Sequence, residues 1–330
     1  MTTKKNLSKE KKLILKSFIT KNISYSKNIN KNCLLLEKKE LLNLISINVG
    51  KNLTSVNSIF IDNNMRFGNK MHLIKKLIFF CKLLGCKKII LSKNKNWFIK
   101  NRLINKKYKM IIDVKNEKSI QNPNIIIDRT SNFFYYKILF RPEMDFESLK
   151  EEILKNLPKV NTERYDLHIY IRSGDIFIKP HHRYSQAPLC FYENILNNYE
   201  FKKVFIIAEN KNNPIIDKLL IQYPNIIYNK NSLKIDIAYL SFTYNLVGGK
   251  ISTFLENIIP LNHNLQYLWI FNTQPVEKKN KKINILNLYN KIKIFQMDAS
   301  ENYIKEMKNW KNNKFQRDLM INEKCINKFY

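Results

Sequence analysis

The chain has 330 residues, 44% hydrophobic and 12% aromatic, which is enough for two cores of ordinary size and excludes a disordered composition. Its net charge of +31 invites a nucleic-acid partner, but the sequence is dominated by Lys, Asn and Ile, whose codons can all be written with A and T alone. The basic residues also lie in short, distant runs (Lys4–Lys5, Lys11–Lys12, Lys38–Lys39, Lys278–Lys279, Lys281–Lys282), so base composition accounts for the charge and nucleic acid is not the expected partner.

Residues 1–30 read as a polar, lysine-rich tail. They lack the apolar core of a signal peptide, and no later run of about eighteen apolar residues would span a bilayer. The chain is therefore expected to be cytoplasmic by default, or to belong to the secretory pathway if its start is incomplete. Ser58–Asp62 (SIFID) predicts a strand. Lys70–Leu84 places apolar residues at Met71, Ile74, Leu77, Ile78, Cys81 and Leu84, the steps of an amphipathic helix that stops at Gly85. Lys88–Leu91 predicts the next strand, completing a βαβ unit. Residues 92–145 match no pattern and read as loops. Asp145–Leu157 has a helical rhythm, and Pro158 ends it, giving a first domain at 31–158.

The same alternation fills a second domain at 159–298. Strands are predicted at Leu167–Ile171, Lys203–Ala208, Asn225–Tyr228 and Leu246–Gly248, with helices at Phe191–Asn197, Ile215–Ile221, Ile235–Tyr244 and Ser252–Ile259. A helical tail at 299–330 is expected to pack back across the first domain. The class is α/β, with mostly parallel sheets and ligands expected in a cleft outside the strand C-termini of two facing halves. The five cysteines, Cys33, Cys81, Cys86, Cys190 and Cys325, form no metal-like spacing and read as scattered thiols suited to a reducing compartment.

Three places hold residues suited to chemistry. In Asn64–Asn69 (NMRFGN), Gly68 permits a tight turn that sets Arg66 and Asn69 beside a helix N-terminus able to take an anion; helix capping by Asn69 is the plainer alternative. Tyr170–Asp175 (YIRSGD) follows a buried strand. An arginine there offers a planar fork of donors matched to phosphate oxygens, and Asp175 would orient it or accept a sugar hydroxyl; the plainer alternative is a structural Arg–Asp pair. In Gly248–Phe254 (GGKISTF), glycines and a Ser-Thr pair opening a helix suit an anion, or Ser252 simply caps the helix. Asp236, on the preceding helix, could accept two N–H bonds from guanine. His181-His182-Arg183 suggests a loop near the ligand rather than a metal pair.

Taken together, these segments resemble the fucosyltransferase superfamily. Arg66-Phe67-Gly68-Asn69 is similar to the RFGNQ loop of protein O-fucosyltransferases and the GNQ loop of α1,2-fucosyltransferases. Tyr170–Asp175 resembles the H-x-R-x-G-D motif, and Asp236 with Ser252-Thr253-Phe254 resembles the D…SSF segment that lines the GDP pocket. The order is the family's, across residues 64–254.

The resemblance implies two facing Rossmann-like domains of the GT-B type, the first on the acceptor side and the second on the donor side. It implies inverting transfer of a hexose, fucose first, from a GDP-sugar to a glycan or protein hydroxyl, with no metal and no cofactor beyond the donor. Arg172 would then hold the β-phosphate and Asp236 would read guanine. Ser252 and Thr253 would bind phosphates, and Asn69 would reach the sugar or phosphate from the other domain. The sequence departs from the pattern at Tyr170, where the motif has histidine (His168 lies two residues earlier), at Lys70 for glutamine, and at Thr253 for serine. A non-catalytic basic α/β protein that binds nucleotide or nucleic acid stays open as the alternative.

Overall fold

Short runs such as LHIY and VFII can be buried at every position only if helices cover both faces of their sheet, and this governs the second half of the chain. The computed structural model describes residues 58–61, 68–69, 71, 74, 78, 88–92, 102–105, 110–115, 125–127, 147–180, 184–249, 252, 254–272, 292–325 and 329. The chain divides into two compact units, one of residues 1–66 with 70–152 and the other of residues 67–69 with 153–330.

The first unit contains β1 (Ser58–Ile61), β2 (Lys88–Ser92), β3 (Arg102–Asn105), β4 (Met110–Lys115) and β5 (Ile125–Ile127), in the order β3-β4-β2-β1-β5. All neighbours are parallel except β3 and β4. β1 and β2 lie where the sequence predicts them. The loops expected over 92–145 are corrected, since β3, β4 and β5 fall there. Those strands are brief, and Asp113 interrupts the alternation of β4, so no period can be read from them. Met71, Ile74 and Ile78 are helical and buried, on the inward face that their spacing predicts.

α1 (Glu147–Lys155) spans the division between the units. The second unit then runs β6 (Leu167–Tyr170), α2 (Asp175–Ile178), α3 (Leu189–Asn198), β7 (Val204–Ile207), α4 (Pro214–Gln222), β8 (Ile226–Tyr228), α5 (Leu233–Phe242), β9 (Asn245–Gly248), α6 (Leu255–Ile258), a 3₁₀ turn at Ile259–Leu261, β10 (Tyr267–Asn272), β11 (Lys293–Asp298), α7 (Glu301–Met307) and α8 (Lys314–Asn322). Its six strands are all parallel, in the order β11-β10-β9-β6-β7-β8. The chain leaves β6 for β7 and β8 on one side, then returns to add β9, β10 and β11 on the other. The order therefore reverses between β6 and β9, and their following loops diverge there, the point at which a doubly wound sheet leaves a crevice.

Local caps set several helices in register. The Asn213 side chain accepts from the Ile215 amide ahead of Pro214 in α4, Ser300 accepts from Tyr303 in α7, and Asn313 accepts from Gln316 in α8. The tail is helical, as the sequence predicts, but its core contacts lie in the second unit. Tyr303, Met307, Trp310 and Met320 are buried in the same core as β6 and β7, and α8 packs on α3 and α4, all within the second unit. Cys190, in the first turn of α3, is joined by a disulfide to Cys325, just beyond α8. This corrects the expectation of scattered thiols, because partners 135 residues apart leave no local spacing to detect.

A bond closing so long a loop removes much of the unfolded chain's freedom. Cys325→Ser is expected to lower the unfolding free energy by about 2–4 kcal/mol. Urea melts of wild type under oxidising conditions and of the variant check this.

Candidate functional site

The loop after β6 is held by the loop after β7. The Asn210 side-chain oxygen accepts from the Ser173 hydroxyl at 2.7 Å, the Gly174 amide at 3.0 Å and the Asn212 amide at 3.0 Å. Asn213 donates its side-chain amide to the Arg172 carbonyl at 3.0 Å, and its backbone N–H donates to the Ser173 hydroxyl at 3.1 Å. Gly174 turns the chain at φ 74°, ψ −121°, a region open to glycine and strained for other residues. A side chain there would also run into the Glu209 carboxylate.

On this frame, Arg172 Nη2 donates to Asp175 Oδ1 at 2.7 Å. Arg172 is 27% exposed, so its remaining donors can be reached from outside. Burial works against its charge, but the Tyr170 oxygen and the carboxylates of Asp175 and Glu209 more than offset that and hold the guanidinium above its ordinary value. Tyr170 is buried at the end of β6, where its ring stacks on Phe254 with centroids 5.1 Å apart. Burial pushes its phenol up, and Arg172 pulls it partly back.

Across the reversal in strand order, β9 ends at Gly248 and Gly249. A Cβ on Gly249 would lie 2.5 Å from the Tyr192 hydroxyl and 3.2 Å from Ala187, so close packing against α3 requires glycine here. The Ser252 hydroxyl accepts from the Leu255 amide at 3.4 Å, the capping role allowed by the sequence, and α6 is a single turn. The Gly68 carbonyl accepts from the Asn257 side-chain amide at 3.2 Å. Gly68 is buried and Asn69 exposed, so the first segment meets the third through α6. Arg66, Thr253 and His181–Arg183 lie outside the described residues.

Asp236 is buried in α5, and neither its Oδ1 nor the nearby Asn231 amide nitrogen makes a hydrogen bond of full geometry. Burial raises its carboxyl from 3.8 to about 6, and a weak hydrogen bond from the Asn231 amide offsets a part. Oδ1 is a buried acceptor short of a well-formed hydrogen bond, the kind of atom that a ligand N–H would satisfy.

His168 is a core residue and stands apart from the exposed donors. It packs among Tyr165, Phe205 and Tyr239, with Nδ1 2.8 Å from the Thr243 hydroxyl. That hydroxyl gives its single proton to the Asn245 carbonyl at 2.9 Å, so Nδ1 must donate to it and Nε2 carries the lone pair, buried and unpartnered. Burial lowers its pKa from 6.5 to about 3.

The structure thus brings Tyr170, Arg172, Asp175 and Phe254 together at the end of β6, with Gly248 and Gly249 at the end of the neighbouring strand. Sequence reasoning missed Glu209, Asn210, Asn213 and Tyr192. Asn-Pro opening a helix after a buried strand was a readable sign for Asn213; in so Asn-rich a chain, Asn210 carried no sign. Comparison with known proteins gives nothing to set beside this geometry: no family model, curated protein or solved structure matches the chain.

The two buried groups act on stability with opposite sign. For His168 the unfolded state binds more protons between pH 6.5 and 3, so stability is complete above pH 6.5 and falls on acidification through that window. For Asp236 the folded state binds more protons between 3.8 and 6, so its ionised form is a cost above pH 6. His168→Asn is expected to remove about 2 kcal/mol of the loss that wild type suffers between pH 7 and 5, read as the difference between two denaturant series. Asp236→Asn is expected to gain about 1 kcal/mol at pH 7.5, measured in the same way.

Proposed function

We propose that this protein is a metal-independent glycosyltransferase that moves a hexose, fucose first, from a GDP-sugar to a hydroxyl of a glycan or protein. The proposal includes a GT-B arrangement of two facing Rossmann-like domains. The observation that carries it is the half-buried guanidinium of Arg172, still open to solvent on one side, at the end of β6 beside the strand-order reversal of a parallel sheet. That is where such sheets take nucleotides, and a planar fork of donors suits a diphosphate.

In this scheme the sugar carbon passes through an oxocarbenium-like state while GDP departs with growing negative charge. Arg172, held in place by Asp175, meets that charge where it develops, and one such donor typically accounts for about 100- to 1000-fold in rate. Asp236 would accept the N–H groups of guanine through its carboxylate. Binding would then recover the cost of keeping a carboxylate in that place. Phe254 and Tyr170 form a stacked wall next to Arg172. Arg66, Gly68, Asn69, Ser252 and Thr253 are proposed to line the donor site as the resemblance implies, and the basic surface to draw in the diphosphate. Asp175 is the nearest candidate for general base, with one oxygen already engaged by Arg172.

The Arg172–Asp175 pair equally suits a protein that holds nucleotide or nucleic acid without turnover, so binding and turnover need separate assays. GDP and GDP-fucose, but not UDP or ADP, should raise the melting temperature of the purified chain by mass action. RNA binding that falls steeply with salt, with no response to GDP, would favour the alternative. Arg172→Ala is expected to cut transfer at least about 100-fold with the fold intact by circular dichroism. Retention of a tenth of the activity would refute the assignment.

GDP affinity should be flat above pH 6 and fall about tenfold per unit below it, as the Asp236 carboxyl protonates. Isothermal titration across pH 5 to 8 reads this directly, and Asp236→Asn should abolish the binding.

A further inference from the structure

α2 is one turn long, too short to hold a position on its own. A turn that short leaves its last carbonyls without helical partners. The donors that reach two of them come from far along the chain. Trp310 Nε1 donates to the Ile176 carbonyl at 3.0 Å, and Asn312 Nδ2 donates to the Phe177 carbonyl at 2.7 Å. The first residue of the same turn is Asp175, which fixes Arg172.

The two donors are themselves fixed. Trp310 is among the largest fully buried side chains, and its ring meets Phe177 edge to face at 5.4 Å. Arg317 Nε donates to Asn312 Oδ1 at 2.8 Å, which sets the amide so that its nitrogen faces Phe177, and the guanidinium lies 5.9 Å over the Phe177 ring. Among the described residues, Asn312 is the single non-glycine with positive φ, at 57°. Backbone in such a region persists where the surroundings over-determine it. The segment is tied at its far side by the Ser300–Glu323 hydrogen bond and the Cys190–Cys325 link.

We infer that the segment from Trp310 to Arg317 is a clamp, and that Trp310 and Asn312 are positioning residues that hold the Asp175–Ile178 turn so that Asp175 presents Arg172 to its anion. The inference rests on the proposed reading of Arg172 as the diphosphate contact, but the conformation of the turn can be tested without any ligand.

The full oxidised chain is compared as wild type, Trp310→Phe, Asn312→Gly and Met320→Ala. Trp310→Phe keeps a ring and removes the donor. Asn312→Gly tolerates the positive φ and removes the amide, which keeps the test open should the first variant fail to fold. Met320→Ala damages the same core without touching either carbonyl. Amide hydrogen exchange is followed at residues 173–179, and affinity for inorganic pyrophosphate is titrated at low temperature, where all forms are folded.

The clamp predicts that Trp310→Phe and Asn312→Gly speed exchange at 173–179 by about tenfold while β7 and β10 stay protected, and weaken pyrophosphate binding by about tenfold. Met320→Ala should change neither. Unchanged exchange at 173–179 overturns the inference, as does an equal effect from Met320→Ala. Faster exchange with unaltered pyrophosphate affinity overturns the positioning role. A wild type that binds neither pyrophosphate nor GDP refutes the functional proposal instead, and the exchange measurement still decides whether the clamp exists.

Discussion

In the second unit the strands are parallel and the central pair β6 and β7 is buried at every position, so a polar side chain has little room within the middle of the sheet. Chemistry is confined to the strand ends, and of these the junction of β6 and β9 differs because the order of connection reverses there. The connections after β6 and β9 run to opposite sides of the sheet. The guanidinium of Arg172, the stacked rings of Tyr170 and Phe254, and the glycine end of β9 all stand where they do because of that single reversal.

Holding charged and polar groups at such a junction requires neighbours that tie down the backbone. Asn210 and Asn213 between them engage the Arg172 carbonyl, the Ser173 hydroxyl and the Gly174 amide, and Gly174 accepts a dihedral that other residues resist. Asp236 keeps a buried carboxylate oxygen without a well-formed hydrogen bond, and burial raises its carboxyl to about 6. His168 is the opposite case. Its neutral ring is satisfied on one side by Thr243 and surrounded by aromatics on the other, and its role is to complete the core. A histidine close to a motif that expects one is therefore not a substitute for it when its ring faces the interior.

The sequence made the alternation of strands and helices from residue 160 to 260 legible, because each strand is a short apolar run bounded by polar turns and α3 and α4 carry an apolar stripe. It also singled out Arg172, since an arginine closing an apolar strand has few structural explanations. Other features were hidden for physical reasons. β10 and β11 are separated by a long polar stretch and complete no local βαβ rhythm, while β3 to β5 are too brief to show a period. Ser252, read either as one of two hydroxyls facing an anion or as a helix cap, accepts a hydrogen bond from the Leu255 amide, a contact that serine at such a place makes in either role. The partners of the Arg172 loop come from the β7 loop and the tail, and pairings between distant segments leave no trace in spacing.

Trp310 and Ile176 are 134 residues apart, and Asn312 is as far from Phe177, which gives the second unit a direction in time. During synthesis the β6 strand and its arginine leave the ribosome long before the side chains that fix the following turn. Strands β6 to β9 all precede residue 250, so the four are synthesised before either donor to the turn exists. The hydrogen bonds that hold the Ile176 and Phe177 carbonyls can form only once the last helices have been made.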